Sequence, residues 1–108
     1  MKQSNLFKNI PAELAEEQTE LLSSMSGVRI ERIISRGQSS PDEGWYDQPD
    51  PEWVVLLSGG AVLRFEEDDR CLELTPGDWI EIPARCRHRV ESTSEDEDSI
   101  WLAVHGVG

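Results

Sequence analysis

The two histidines, His88 and His105, are the side chains of this sequence best suited to chemistry near neutral pH. An imidazole binds divalent metal ions and transfers protons in this pH range. Cys86 lies two residues before His88, so it is a candidate metal ligand, but the commoner role of such a cysteine is that of a small buried apolar side chain. Cys71 is too distant in sequence from Cys86 for a short-spaced cysteine metal site. Because the sequence shows no export signal, we do not expect a disulfide and predict two free thiols.

Aromatic and basic side chains flank these histidines in sequence. Trp45, Tyr46 and Trp53 are candidates for the apolar wall of a small-molecule pocket, and core packing explains them equally well. Three arginines surround His88: Arg85, Arg87 and Arg89. They would suit a carboxylate or phosphate at the mouth of a pocket. Pairing with nearby glutamates and acidic loops is the commoner role.

From residue 28 onward the sequence is typical of short β-strands, since β-branched and aromatic residues are frequent and turn residues recur regularly. The predicted strands are 28–35, 52–57, 61–66, 70–74, 79–82, 88–93 and 99–105, with 45–48 as an eighth. Alternation places His88 and Val90 on an inward face and the neighbouring arginines on the outward face. This number of strands predicts an all-β jelly-roll barrel.

The N-terminal region predicts a short amphipathic helix within residues 11–24. Pro11 suits a first helical turn, and Leu14, Leu21 and Leu22 have helical spacing. The predicted organisation is a helical extension over residues 1–27, followed by one barrel over residues 28–108.

The segment around His88 resembles the second motif of the cupins. Gly77, Pro83 and His88 have the spacing of that family's glycine, proline and histidine, and Glu52 followed by Gly59 fits the end of its first motif. The resemblance implies a cupin-type double-stranded β-helix, which is a jelly-roll barrel, with a site in its interior.

The resemblance covers about residues 28–105 and departs from the family pattern at the metal ligands. The family places a His-x-His pair before the glutamate, where this sequence has Trp45 and Asp47 in one register or Tyr46 and Gln48 in the other. Arg85 replaces a motif glycine.

The resemblance implies Asp47, Glu52 and His88 as ligands of a divalent metal, which would be iron, manganese, zinc or nickel. Asp47 is preferred to Gln48 because an anionic oxygen binds a dication more strongly than an amide oxygen does. Alternatively the barrel holds no metal, and His88 is an interior histidine beside Glu52. His105 shares a strand face with Trp101 and lines the barrel mouth or is a bystander.

Two functions of different classes remain open. One is a metal-dependent enzyme of unspecified reaction, which the retained Glu52 and His88 favour. The other is a metal-free module that binds or senses a small organic ligand without turnover, which the missing His-x-His pair favours. A fold does not decide between these functions.

The composition bears on partners and compartment. The 108 residues include 22 Asp and Glu against 10 Lys and Arg, a formal net charge of −12. This charge repels nucleic acid and anionic lipid, so we expect a small-molecule ligand and neither nucleic-acid nor membrane partners. Without a long apolar run, a cytoplasmic location is expected. The strand at 28–35, apolar on both faces, predicts a homodimer because a sheet edge needs covering.

Overall fold

Eight antiparallel strands form the fold in the computed structural model, which describes residues 1–40 and 44–106. They are β1 (Gln18–Met25), β2 (Val28–Ser35), β3 (Glu52–Ser58), β4 (Ala61–Phe65), β5 (Arg70–Leu74), β6 (Trp79–Ile82), β7 (His88–Thr93) and β8 (Ser99–His105). A 3-10 turn, Glu67–Asp69, joins β4 to β5. The all-β class is confirmed, and the seven principal predicted strands are found within one residue of their expected ends. Residues 107 and 108 of the expected barrel lie outside the described residues.

The strands form two sheets that enclose the core. One sheet has the order β1-β2-β8-β3-β6 and the other β5-β4-β7. Strands of both sheets alternate: Val54 and Leu56 of β3 are buried, and Leu63 and Phe65 of β4 face them across the core. Because successive strand residues point to opposite faces, this alternation sets which side chains enter the interior.

The predicted N-terminal helix is wrong. Residues 18–25 form β1, which pairs antiparallel with β2 through an irregularity between Leu21 and Ser23. The backbone N–H and C=O groups along the edge of β2 that faces β1 need hydrogen-bond partners. A strand offers its own backbone groups as partners, whereas a helix uses them within itself. The boundary drawn at residue 27 therefore falls within the β1–β2 turn, and β2 is an interior strand rather than an edge.

The segment before β1 is held against the sheet by buried donors. Arg32 is 3% exposed on the outer face of β2, and its guanidinium donates to the carbonyl oxygens of Leu6 at 3.2 Å and Lys8 at 2.7 Å. Gln38 Nε2 donates to the carbonyl oxygen of Leu14 at 3.0 Å. These bonds fix the path of the chain toward residue 17, which reaches the interior site.

The predicted strand at 45–48 is reduced to one isolated bridge between Tyr46 and His88. Their backbone groups exchange two hydrogen bonds, of 2.7 and 3.1 Å. Beside this bridge, Arg89 differs from the expected solvent-facing position, because it is buried and donates to the Ser40 carbonyl oxygen at 2.9 Å. The chain at Ser40 also bonds to β7 through the backbone of Val90, so β7 is covered along this edge.

No helix among residues 1–40 and 44–106 has the length and apolar character needed to cross a membrane. Cys71 is exposed and Cys86 half-buried, and both are free, as expected from the sequence.

Candidate functional site

A cavity of about 160 Å³ lies between the two sheets. Its floor is apolar and includes Val54, Leu63, Ile82 and Trp101. Six further side chains add acidic, imidazole and phenol groups to its lining: Glu17, Glu31, Tyr46, Glu52, His88 and His105. A dry cavity of comparable size in another protein holds a molecule as large as benzene. The space therefore suits a small ligand with an apolar part and a polar part.

Strand register brings the polar side chains together. Glu52 of β3 is directly opposite His105 of β8, and directly opposite residues share a face of the sheet. Glu31 of β2 is paired with Ala103, two residues before His105 on the same face. His88 comes from the other sheet, where it opens β7 opposite Phe65. The cluster therefore draws on four strands and on both sheets.

The His88 ring is oriented by its own backbone. Its Nδ1 donates to the Cys86 carbonyl oxygen at 2.8 Å, which leaves Nε2 without the proton in the neutral ring. Nε2 lies 3.7 Å from Glu52 Oε1, and the ring centre is 5.5 Å from that of Tyr46. His88 thus presents a lone pair, rather than an N–H, toward Glu52 when the ring is neutral.

His105 is oriented in the opposite sense. Its Nε2 donates to Glu31 Oε1 at 2.7 Å and lies 3.6 Å from Glu52 Oε2. A neutral His105 therefore carries its proton on Nε2, since the carboxylate of Glu31 accepts. The Glu52 carboxyl therefore lies between two imidazoles, with the Nε2 lone pair of His88 on one side and the protonated Nε2 of His105 on the other.

Burial tunes two titratable groups in the cavity. The pKa of Glu52 is raised because burial disfavours its charged form, and Glu31 adds to that effect while His105 and His88 oppose it. Burial likewise raises the pKa of Tyr46, with a further contribution from the negative charge of Glu17. The Tyr46 phenol is therefore a neutral hydrogen-bonding group at neutral pH.

With the ring protons placed in this way, the donors do not present a set of three ligands to a divalent metal. Of the two imidazoles, only His88 presents a lone pair toward Glu52, because the Nε2 proton of His105 is engaged by Glu31. Glu52, His88 and His105 do cluster, but among the residues that the structure describes no three His, Cys, Asp or Glu side chains have their donor atoms arranged so that they could hold a metal ion. A metal site needs at least three converging protein ligands in the usual case.

The structure separates the three expected metal ligands. Glu52 and His88 line the cavity together, whereas Asp47 lies at the surface, where its Oδ1 is 3.5 Å from Arg85 Nη1. Gln48 lines the cavity in its place, with Tyr46. The 46/48 register therefore faces the interior, and the preference for Asp47 over Gln48 disagrees with this geometry.

The other expected pocket residues divide in the same way. Tyr46, Gln48 and His105 line the cavity. Trp53 lies on the outer face of β3, with its ring centre 5.9 Å from that of Trp79. Trp45 is half-buried and is not among the residues that line the cavity, and neither is Arg85, whose side chain is 68% exposed.

Two acidic residues of the cavity were not anticipated from the sequence. Glu31 interrupts the apolar run of β2 and shares its inward face with Ile33, which is a signal that could have marked it. Glu17 carries no such signal, because it lies before β1 in a segment that was expected to be helical. Ser35 Oγ donates to Glu17 Oε2 at 2.8 Å and so ties this carboxylate to β2.

The family model for the Cupin domain matches residues 33–105. A structure from Ralstonia eutropha JMP134, described as a "putative mannose-6-phosphate isomerase", is 44% identical over 100% of both chains, with a TM-score of 0.95. No protein of curated function matches the chain significantly.

More distant solved structures share the fold alone. A cupin superfamily protein from Desulfitobacterium hafniense DCB-2 is 20% identical over 92% of this chain and 84% of its own, with a TM-score of 0.74. The polyketide cyclase RemF from Streptomyces resistomycificus is 19% identical over 100% of this chain and 80% of its own, with a TM-score of 0.78.

Proposed function

We propose that this chain, which belongs to the cupin domain family, binds a small organic molecule in its interior cavity without a metal ion. The observation that carries this proposal is the cluster of Glu52, His88 and His105 above an apolar floor. An apolar cavity with a few converging polar groups is the usual form of a small-molecule site. The orientation of His105 toward Glu31 supports a site that works without a metal.

A second function is favoured by one feature of the cluster. Glu52, a carboxyl with a raised pKa, lies beside the imidazole lone pair of His88. An acid and a base held in different environments can protonate and deprotonate one bound substrate. The second candidate is therefore a metal-independent enzyme that transfers protons, with Glu52 as acid and His88 as base.

A sugar phosphate is poorly suited to this cavity. The described residues that line it include no Lys or Arg, and protein sites for phosphate groups commonly use these side chains or a helix N-terminus. The substrate named for the Ralstonia protein is therefore not part of the proposal. The cytoplasmic location and the absence of nucleic-acid and membrane partners stay in it, supported by the net charge of −12 and the free cysteines.

Ligand binding can be tested with benzyl alcohol, a neutral probe that matches the cavity in size. We expect saturable NMR shifts in backbone amides of the lining residues. Ile33→Phe places a larger side chain in the cavity and should abolish these shifts, whereas the matched change Val62→Phe, on the outward face of β4, should preserve them. Unsaturable shifts, or shifts that survive Ile33→Phe, would contradict the proposal.

The metal-free character is tested by isothermal titration with Fe²⁺ under anaerobic conditions and with Mn²⁺, Zn²⁺ and Ni²⁺. We expect wild type and His88→Ala to bind each ion equally weakly, through surface carboxylates. Stoichiometric binding that His88→Ala abolishes would show that the cavity is a metal site after all, because the variant removes the imidazole that faces Glu52.

A further inference from the structure

We propose that the cavity selects a small organic cation, an ammonium group attached to an apolar body, over a neutral or anionic molecule of the same shape. The inference rests on the proposed function and adds the chemical class of its ligand. It follows from three carboxylates, an aromatic lining and the absence of Lys and Arg among the described lining residues.

The lining of the cavity is rich in carboxylates. Three carboxylates from different parts of the chain line the cavity. Glu17 lies in the segment before β1, Glu31 lies in β2 and Glu52 lies in β3. The cationic groups available to balance them are at most the two imidazoles, His88 and His105. With Glu17 and Glu31 ionised and both imidazoles neutral, the lining is negative whether or not Glu52 keeps its proton, and a bound cation relieves this repulsion.

Two of these carboxylates are held in place by hydrogen bonds within the protein. Glu31 accepts one hydrogen bond from His105 at 2.7 Å, and Glu17 accepts one from Ser35 Oγ at 2.8 Å. Each bond occupies one of about four acceptor positions on a carboxylate and holds the group in place. A primary ammonium has three N–H donors, so it can bond to more than one of these oxygens.

The cavity also offers apolar and aromatic surface to a ligand. Val54, Leu63 and Ile82 are buried in the floor of the cavity. By contrast, the Glu31 side chain is 20% exposed and Tyr46 is 42% exposed. The apolar part of a ligand is thus accommodated deep in the cavity, with its charged end toward the more exposed acidic groups. The Tyr46 ring adds a face that attracts cations.

Anions are disfavoured at both long and short range. The net charge of −12 repels them and raises the local concentration of cations. Two arginines that were candidates for receiving an anion are engaged elsewhere, since Arg85 pairs with Asp47 and Arg87 Nη1 lies 2.9 Å from Glu66 Oε2.

The test compares three probes of matched shape: benzylamine, benzyl alcohol and benzoate. Isothermal titration of the full chain at neutral pH and physiological ionic strength should give benzylamine at least about tenfold tighter binding than benzyl alcohol, equivalent to ~1.4 kcal/mol. Benzoate should bind most weakly. The variants Glu31→Gln and Glu17→Gln should each reduce the ratio of benzylamine to benzyl alcohol affinity several-fold, because benzylamine loses more binding than benzyl alcohol does.

Glu16→Gln is the matched control, because it removes the same charge from an exposed neighbour that does not line the cavity. It should leave the ratio unchanged. Equal binding of benzylamine and benzyl alcohol would overturn the cation preference and leave the proposed function intact. A benzylamine preference that survives the double change Glu17→Gln and Glu31→Gln would also overturn it, since general surface charge would then be the cause. Failure of all three probes to bind would instead overturn the proposed function.

Discussion

At the scale of single residues, Glu52 combines burial with two imidazole neighbours. Its carboxyl oxygens lie 3.7 Å from His88 Nε2 and 3.6 Å from His105 Nε2, too far for direct hydrogen bonds. The imidazoles therefore offset the cost of burying the carboxylate only in part, and its pKa stays raised. This makes Glu52 a group whose protonation state affects both stability and ligand binding.

The first prediction concerns Glu52→Gln and pH. Between the ordinary carboxyl pKa and the raised native one, the folded protein keeps a proton that the unfolded chain has released. Wild type therefore loses stability as pH rises through this window, by at most about 1.4 kcal/mol per pH unit, and the variant lacks this loss. Urea unfolding should show the free energy of unfolding of Glu52→Gln rising relative to wild type from acidic toward neutral pH.

Glu16→Gln serves again as the control, since it makes the same change in net charge at an exposed position. A difference between Glu52→Gln and wild type that does not vary with pH, or that falls as pH rises, would mean that burial does not set the protonation of Glu52.

The second prediction concerns Arg85, which occupies the position of a family glycine. Its φ is 62°, in the left-handed region, where a side chain with a Cβ costs roughly 1–2 kcal/mol. Glycine removes this cost but has an unfolded-chain entropy penalty of roughly 0.5–1 kcal/mol. Arg85→Gly should therefore raise the free energy of unfolding by about 0.5–1 kcal/mol in chemical denaturation.

Arg85→Ala distinguishes the effect of the left-handed backbone conformation on stability from the effect of the lost positive charge. It removes the long, exposed pair with Asp47 but keeps a Cβ at the left-handed position, so it should not stabilise the protein. Equal gains from the alanine and glycine variants would assign the effect to the lost charge instead.

At the scale of elements, the β3–β4 hairpin depends on close backbone approach at Gly59. Its φ is 82°, and a Cβ placed there would lie 2.6 Å from Ser99 Cα of β8. The Ser99 hydroxyl also donates to the Gly60 carbonyl oxygen at 3.0 Å, so the turn cannot move away without losing a bond. The glycine that the motif spacing singled out is thus a requirement of the turn.

The third prediction follows from this contact. Gly59→Ala should lower the free energy of unfolding by about 2–4 kcal/mol, from the left-handed conformation together with the clash at Ser99. Thermal and urea unfolding measure this loss. In Gly60→Ala the nearest atom to the new Cβ is 4.0 Å away, so that variant should change stability by less than about 0.5 kcal/mol. Similar losses in both variants would contradict the steric explanation.

At the scale of the whole molecule, one part of the outer face of the five-stranded sheet is uncovered. The N-terminal segment packs over the part around Arg32, while Trp79 on β6 remains 61% exposed beside Trp53. Val55 pairs with Trp79 on the same face. Exposed apolar surface of this kind is typical of protein interfaces.

The fourth prediction is the homodimer, which we propose forms through this outer surface and not through the edge of β2, since β1 covers that edge. Light scattering at micromolar concentration should give twice the monomer mass, and added salt should strengthen association because it screens the repulsion between chains of charge −12. Trp79→Glu should yield a monomer.

Met25→Glu is the matched control, because it introduces the same charge at an exposed apolar residue of β1. That variant should remain dimeric. A monomeric wild type would refute the proposal, and dissociation by Met25→Glu alone would place the interface at the β1 edge.

The strands could be predicted from the sequence because their cause is local. A residue's face in a strand depends on its parity, so alternation in 61–65 and 88–90 already placed Leu63 and His88 inward. Turn residues such as Gly59 and the motif spacing around His88 are likewise local properties of the chain. The same local reasoning failed at residues 18–25, where leucines with helical spacing form a strand because β2 offers an edge to pair with.

The composition of the site was decided only by the tertiary structure. Glu52 and His105 are far apart in the chain, and they meet because β3 and β8 pair in one particular register, which the packing of the whole core selects. The choice between Asp47 and Gln48 depended on the bridge between Tyr46 and His88, a contact between two sequence-distant segments. Short-range periodicity determines the direction of a side chain within its own strand, whereas the partner that it meets depends on how separate strands align.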